Sequence, residues 1–337
     1  MNIQARALPT ATVVRQHYDA LFWPYLLFWG HHLHHGLFLT GRESPREAQV
    51  TMLRHCVSLL PSAPNGHVLD IGCGYGATSL FFAREFGCRV QGISVSGRQV
   101  AHARLKARRE GLEDLTDFVI ADAEQMQFPR AAFDLIWVME SSEHFSDRPR
   151  FFRRAAKSIR KGGALLLAAW SASDNAEPQA LARVAEAAIC PVFSRVQDYS
   201  SMLARAGLTV LLSRDLTYSV VKTWEIICPR IRKLRLLAHL TSSSVREFSE
   251  KIGLIHEAFR KRLLTYQLWV VVPDQGVRSQ TPSRSHAARL GTCEVPPRSS
   301  SLTLGAASSA PSEFRHPNRE VEGDQKNGRE DCPTITR

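Results

Sequence analysis

The sequence predicts an α/β fold: a doubly wound, mostly parallel seven-stranded sheet with helices before it and helices inserted late in it. Three observations carry this. From residue 66 onward, short apolar runs alternate with helical stretches. The first run ends in the glycine-rich turn GCGYG. The early runs are apolar almost throughout, as in strands covered on both faces. At 337 residues the chain can hold one large domain and an appendage.

Residues 1–60 read as helical and mixed, ending in the amphipathic stretch PREAQVTMLRHCVSLL. HVLDIG (67–72) is the first strand, and ATSLFFAREFG (77–87) is a helix that Gly87 stops. CRVQGISV (88–95) is the second strand, and the helix SGRQVAHARLKARREGL (96–112) takes Ser96 as its N-cap. DFVIAD (117–122) and FDLIWVME (133–140) are the third and fourth strands. The helix RFFRRAAKSIRKGG (150–163) leads to a fifth strand, ALLLAAW (164–170). An insertion (171–197) precedes the helix DYSSMLARAG (198–207) and the strand LTVLLSRDL (208–216). Two helical stretches fill 220–263, and LTYQLWVVVP (264–273) is the last strand. From 276 to 337 the chain is rich in Ser, Pro and Arg, and reads as a disordered tail.

Composition narrows the function classes. Seven cysteines, never spaced CxxC, argue for reduced thiols in a cytoplasmic protein and against a zinc knuckle. The first residues, MNIQARALPTATVVRQHYD, carry no secretory leader pattern. ALFWPYLLFW (20–29) is too short to cross a bilayer, but fits a membrane surface or a greasy pocket. The net charge of +11 is concentrated in RPRFFRRAAKSIRK (148–161) and PRIRKLRLL (229–237). These segments read as solvated helix faces, with peripheral membrane contact or an acidic substrate as sharper alternatives. No recognised binding motif accompanies them, so nucleic acid is not expected as a partner.

The chemistry concentrates in VLDIGCGYG. Asp70 ends the first strand, and Gly72, Gly74 and Gly76 form the turn into a helix whose first N–H groups face outward. GCGYGA also satisfies the dinucleotide fingerprint G-x-G-x-x-G/A. That ligand requires an acid after the second strand, where this chain has Ser94. S-adenosylmethionine has no pyrophosphate to cradle, and an acid beside the glycine turn suits its charged methionine and ribose end.

The pattern D-x-G-x-G-x-G resembles motif I of the class I S-adenosylmethionine-dependent methyltransferases. GISVSGRQ (92–99), with Ser94 and Gln99, resembles the subgroup containing tocopherol methyltransferases and cyclopropane fatty acid synthases. ADAEQMQFP (121–129) is similar to the family's adenine-binding segment, which implies Asp122 and Ala123 as contacts. FDLIWVMESSEHFSD (133–147), with Glu140 at its centre, resembles the tocopherol methyltransferase pattern over nearly its whole length. YDALFWPYLLFWGHHLHHGLF (18–38) resembles the subgroup's N-terminal lid, which places His32, His34 and His35 beside the active site.

This resemblance covers about 20–273 and implies a Rossmann-like methyltransferase fold. Residues 1–60 would form the lid, 61–275 the core with helical caps at 171–197 and 220–263, and 276–337 the tail. It implies transfer from S-adenosylmethionine to a lipophilic or aromatic small molecule, tocopherol- or quinol-like or a secondary metabolite. Tyr18 and Trp29 would face the sulfonium, and Glu143 and His144 would take a proton from the acceptor. No metal is expected. His31 and His35 are spaced to share a helix face, but nothing completes a coordination set. One alternative is methylene transfer to a lipid, as in cyclopropane synthases, although 18–45 lacks the cysteine expected in their lid. Another is a non-catalytic, membrane-associated protein that binds S-adenosylmethionine.

Overall fold

A computed structural model describes residues 10–234 and 243–274. The expected tail at 276–337 lies outside them. Two short helices, α1 (Ala11–Ala20) and α2 (Phe22–Phe28), precede an irregular segment, and α3 (Pro45–Ser58) follows. Ser44 and Glu47 satisfy each other's backbone N–H groups and Pro45 presets the first turn, so α3 begins where the amphipathic pattern begins. The 1–60 region is therefore helical only in part. The segment carrying His31–His35 is not helical, so those two histidines share no helix face.

The core then runs β1 (His67–Ile71), α4 (Ala77–Phe86), β2 (Arg89–Ser94), α5 (Gly97–Arg109), β3 (Thr116–Ile120) and β4 (Phe133–Met139). After a 3₁₀ turn at Ser142–His144 come α6 (Arg148–Ser158) and β5 (Ile159–Ala172). The expected helix at 150–163 stops earlier, because Ile159 already pairs with Phe133 across a bulge. The insertion holds α7 (Pro178–Ala187) and leads to α8 (Val196–Arg205) and β6 (Leu208–Asp215). The chain continues through α9 (Thr217–Val220), α10 (Lys222–Leu234), α11 (Ser243–Arg260) and β7 (Leu264–Pro273).

The sheet order is β3-β2-β1-β4-β5-β7-β6. The first five strands pair parallel, and β7 lies antiparallel between β5 and β6. Side chains alternate between two cores. Leu69, Ile136, Leu165 and Trp269 pack on one face with Phe151, Phe152 and Tyr199. Val68, Leu135, Leu166 and Leu268 pack on the other with Phe82, Trp224 and Phe259. Burial on both faces is why the strands read as continuous apolar runs, each large side chain contributing about 1.5–3 kcal/mol. The chain reverses its winding between β1 and β4, which opens a crevice at their carboxyl ends.

Part of the basic run at 148–161 is structural. Arg148 is buried and donates to the carbonyls of Ser142, Glu143 and Val192. Arg154 donates to Ala123 O, and Arg160 pairs with Asp134 at 2.8 Å. Among the described residues, no helix is long and apolar enough to cross a membrane.

Candidate active site

The crevice at the strand ends spans about 980 Å³, its mouth open to solvent included. Asp70, Gly72, Gly74, Ser94, Gln99, Asp122, Ala123 and Glu140 line it, together with Tyr18, His32, His34 and His144. Twelve of the sixteen residues expected at the site thus share one cavity. Gly76 does not line it. A Cβ there would sit 2.7 Å from Ala103 Cβ and 2.9 Å from the Phe118 ring, so this glycine serves helix packing. At Gly74 the turn has φ +53°, and a Cβ would reach within 3.3 Å of Leu33 Cδ1. The turn is thus a cradle that any side chain would narrow.

Asp70 is buried at the end of β1 and accepts a 2.6 Å hydrogen bond from Ser79 Oγ. Burial pushes its carboxyl up to about 6 despite that bond. Asp122 Oδ1 accepts from Glu124 N at 2.8 Å. Ser94 Oγ donates to Gln99 Oε1 at 2.8 Å, so these two side chains brace the β2–α5 turn. His34 donates from Nδ1 to His35 O, which leaves its buried Nε2 an acceptor with no partner among the described residues. An acidic strand end, a bare glycine turn and an unmatched buried acceptor fit a cationic, N–H-bearing ligand such as S-adenosylmethionine.

A second cavity of about 620 Å³ adjoins the first. Tyr18, Leu33, Glu140 and His144 line both. The walls are mainly aromatic and aliphatic: Tyr25, Trp29, Trp170, Trp224, Phe248 and Ile255. Trp29, expected to face the sulfonium, lies here instead, with its Nε1 donating to His34 O at 3.2 Å. The described cysteines are free thiols, and Cys190 lines this chamber. Residues lining it from α7, α10 and α11 were not anticipated in the sequence. Tyr18, Trp29, Glu140, Glu143 and His144 were expected at the site, and Trp170 as the end of the expected fifth strand.

At the junction, His144 Nδ1 lies 3.0 Å from Ile189 O, which can only accept. Nδ1 therefore carries the proton, and Nε2 accepts the Tyr18 O–H at 3.0 Å. Burial lowers the His144 pKa and raises that of Tyr18, so both are neutral near pH 7. Glu143 accepts from Trp170 N at 2.7 Å, and burial pushes its carboxyl up to about 8. At neutral pH Glu143 keeps its proton, which separates it from His144 as a proton acceptor.

The histidine stretch is a brace. Glu140 has a left-handed backbone, φ +51°, that turns its carboxylate under the lid. Oε1 accepts from His35 N at 2.7 Å and Tyr266 Oη at 2.9 Å. Oε2 accepts from His35 Nδ1 at 2.8 Å and Trp170 Nε1 at 3.2 Å. Burial alone would raise this carboxyl, but the contacts with His35 hold it below the usual range. His35 lines neither cavity. Gln49 Nε2 donates to His32 O at 2.7 Å, and Gly36 N donates to Thr223 Oγ1 at 3.0 Å. The described residues contain no group of three or more side chains arranged to hold a metal.

Known proteins show the family and the fold. A family profile described as a methyltransferase domain matches residues 69–167. The 27-O-demethylrifamycin SV methyltransferase of Amycolatopsis mediterranei is 30% identical over 73% of this chain and 95% of its own. The tocopherol O-methyltransferase of Arabidopsis thaliana is 25% identical over 71% of this chain and 75% of its own. Among solved structures, a mycolic acid cyclopropane synthase, CmaA1, superposes with a TM-score of 0.70 at 20% identity. That match covers 79% of this chain and 99% of the other. The chain belongs to the class I S-adenosylmethionine-dependent methyltransferases, in the subgroup similar to the tocopherol O-methyltransferases.

Proposed function

We propose that the chain methylates a hydroxyl of a lipophilic, ring-bearing small molecule of the phenol, quinol or secondary-metabolite kind. The observation that carries this reading is the junction of the two cavities, where a neutral His144 presents an unprotonated Nε2. Bound S-adenosylmethionine supplies the methyl as a sulfonium, so the reaction is a direct displacement. The chain's work is to align the acceptor, exclude water and take one proton. Asp70, Gly72, Gly74, Asp122 and His34 would hold the cofactor in the first cavity. The aromatic walls would hold the acceptor in the second, where flat apolar rings recover contact area against Trp170 and Trp224.

The acceptor hydroxyl takes the place of Tyr18 as donor to His144 Nε2. The acceptor oxygen would gain its bond to the methyl carbon as the carbon–sulfur bond breaks and sulfur leaves as a neutral thioether. Its proton would pass to Nε2, so that His144 takes up the positive charge. Glu143, still protonated, serves as a neutral wall group. It adds no second negative charge beside Glu140. The names of two relatives place their acceptors at oxygen, in demethylrifamycin at O-27 and in tocopherol.

A screen with labelled methyl donor over phenols, quinols, bulky alcohols and amines tests this. Label in the ether fraction of a phenol or quinol is expected. Label confined to amines, or to ring carbons, overturns the oxygen assignment.

A further inference from the structure

We propose that the outer edge of the lid docks on an anionic lipid bilayer. Helix α2 has two faces. Tyr25 lines the acceptor chamber, while Trp23 and Leu27, one turn apart, are 58% and 71% exposed. A Trp and a Leu exposed one turn apart form an apolar edge of the kind that a partner surface covers. The residues flanking them say which kind. The guanidinium of the exposed Arg98 stacks over Phe22, 4.9 Å from its centroid, and Phe22 in turn touches Trp23 at 5.2 Å. Arg98 opens α5, whose sequence GRQVAHARLKARR holds five cations and no acid. Arg104 turns to Phe118 O and Lys106 to Glu110, while Arg98, Arg108 and Arg109 are exposed. His102, one turn further along, meets Phe22 at 5.7 Å, so this face of α5 runs beside the lid. Leu105, 41% exposed, and the exposed Arg109 continue it.

A Trp–Leu pair bordered by a helix of net positive charge, with the acids Asp19 and Glu110 at its two ends, matches a phospholipid interface. The indole suits the headgroup level, and the cations suit anionic lipid. A second copy of this chain would bring the same cations against themselves, so charge complementarity favours the bilayer. Docking there would set the helix that roofs the acceptor chamber against the phase in which lipophilic acceptors dissolve.

Vesicle co-sedimentation at low salt tests the proposal. One set of vesicles is phosphatidylcholine alone; the other carries roughly one-third phosphatidylserine. The full chain is expected to sediment with the anionic vesicles and little with the neutral ones. Trp23→Ser with Leu27→Ser should lower the bound fraction at least about fivefold. Arg108→Gln with Arg109→Gln should lower it less, and only at low salt. Unchanged affinity for S-adenosylhomocysteine shows that each variant is folded. Failure of the full chain to bind anionic vesicles, or equal binding by the Trp23/Leu27 variant, overturns the proposal. A dimer in light scattering that the same variant dissolves overturns it in favour of a second copy. None of these outcomes bears on the acceptor screen, which uses soluble substrates.

Discussion

The cleft at the strand ends, proposed for the cofactor, and the aromatic chamber beside it, proposed for the acceptor, share a wall but are built in opposite ways. The cleft is made mostly of strand ends and the turns that follow them, between Asp70 and Phe145, and the lid closes it with residues of α1 and of the segment His31–His34. Its polar groups are fixed by main chain: Asp70 by the end of β1, Gly74 by its φ, Asp122 by the turn after β3. The chamber draws on α1, α2, the β4–α6 turn, β5, α7, α10 and α11. Its walls are side chains held by packing. A site formed by backbone leaves little freedom in what it binds. A site formed by aromatic side chains on separate helices can be reshaped one residue at a time without disturbing the first.

Glu140 joins the two regions, and removing it should have the largest effect. Glu140→Ala leaves four buried or half-buried donors without their acceptor, on the lid, β5 and β7. A loss of about 3–5 kcal/mol in unfolding free energy is expected, measured by denaturant titration. A loss below about 1 kcal/mol means that water or rearrangement satisfies those donors, and that the two regions are separable.

His144→Ala tests the division more finely. Turnover should fall by about 10²- to 10⁴-fold while cofactor affinity stays nearly unchanged. Parallel loss of both would make His144 part of the cofactor wall. Its Nδ1 contact with Ile189, which orients the ring, then becomes the more informative feature.

How far the sequence revealed these regions follows from how each is built. Six of the seven strands were legible within a residue or two, because two-sided burial produces uninterrupted apolar runs. The start of β5 was not, since a bulge at Phe133/Leu135 is a property of pairing and leaves no local pattern. The residues that line the cleft were legible because most lie in short contiguous segments whose order the fold preserves. Gly76 was read among them but packs against Ala103 and Phe118 outside the cavity lining, because a packing glycine and a ligand-facing glycine look alike in a string. The chamber was mostly invisible. Trp224, Phe248 and Ile255 read as ordinary apolar helix positions, and only tertiary packing brings them beside Tyr18. The histidine stretch showed its location but not its role, since its partner Glu140 is 105 residues away.

Asp70→Ala should act on the cleft alone. Loss of the preorganised carboxylate is expected to weaken cofactor binding by about 2–3 kcal/mol, roughly 30- to 150-fold. The affinity of a small aromatic acceptor analogue should not change. The wild-type protein carries a pH signature of the same group. Burial places the Asp70 carboxyl near 6, so below that pH it holds a proton that a cationic ligand must displace. Calorimetry should show affinity falling toward tenfold per pH unit below about 6. A flat profile from pH 7 to 5 would mean that Asp70 is already ionised, or that it does not meet the cation.

The smallest expected effect belongs to the chamber. Glu143 holds its proton up to about pH 8 in the folded chain, because it is buried beneath Trp170. In the unfolded chain the same carboxyl ionises near its ordinary value of 4.5. Between those values the folded state binds more protons than the unfolded one, so rising pH destabilises the fold. The group's contribution is complete below pH 4.5 and is lost as pH passes through 8. Glu143→Gln keeps the shape and the acceptor for Trp170 N–H but cannot ionise. The wild-type unfolding free energy should therefore decline between pH 6 and pH 8.5 more steeply than that of the variant, by a difference on the order of 1 kcal/mol or more at the upper end, measured by denaturant titration at each pH. At pH 5 the two curves should nearly meet. If they run parallel across the whole range, the Glu143 side chain reaches solvent and the chamber is wetter than its walls indicate. The aromatic half of the comparison then gives way, and the cofactor half stands unchanged.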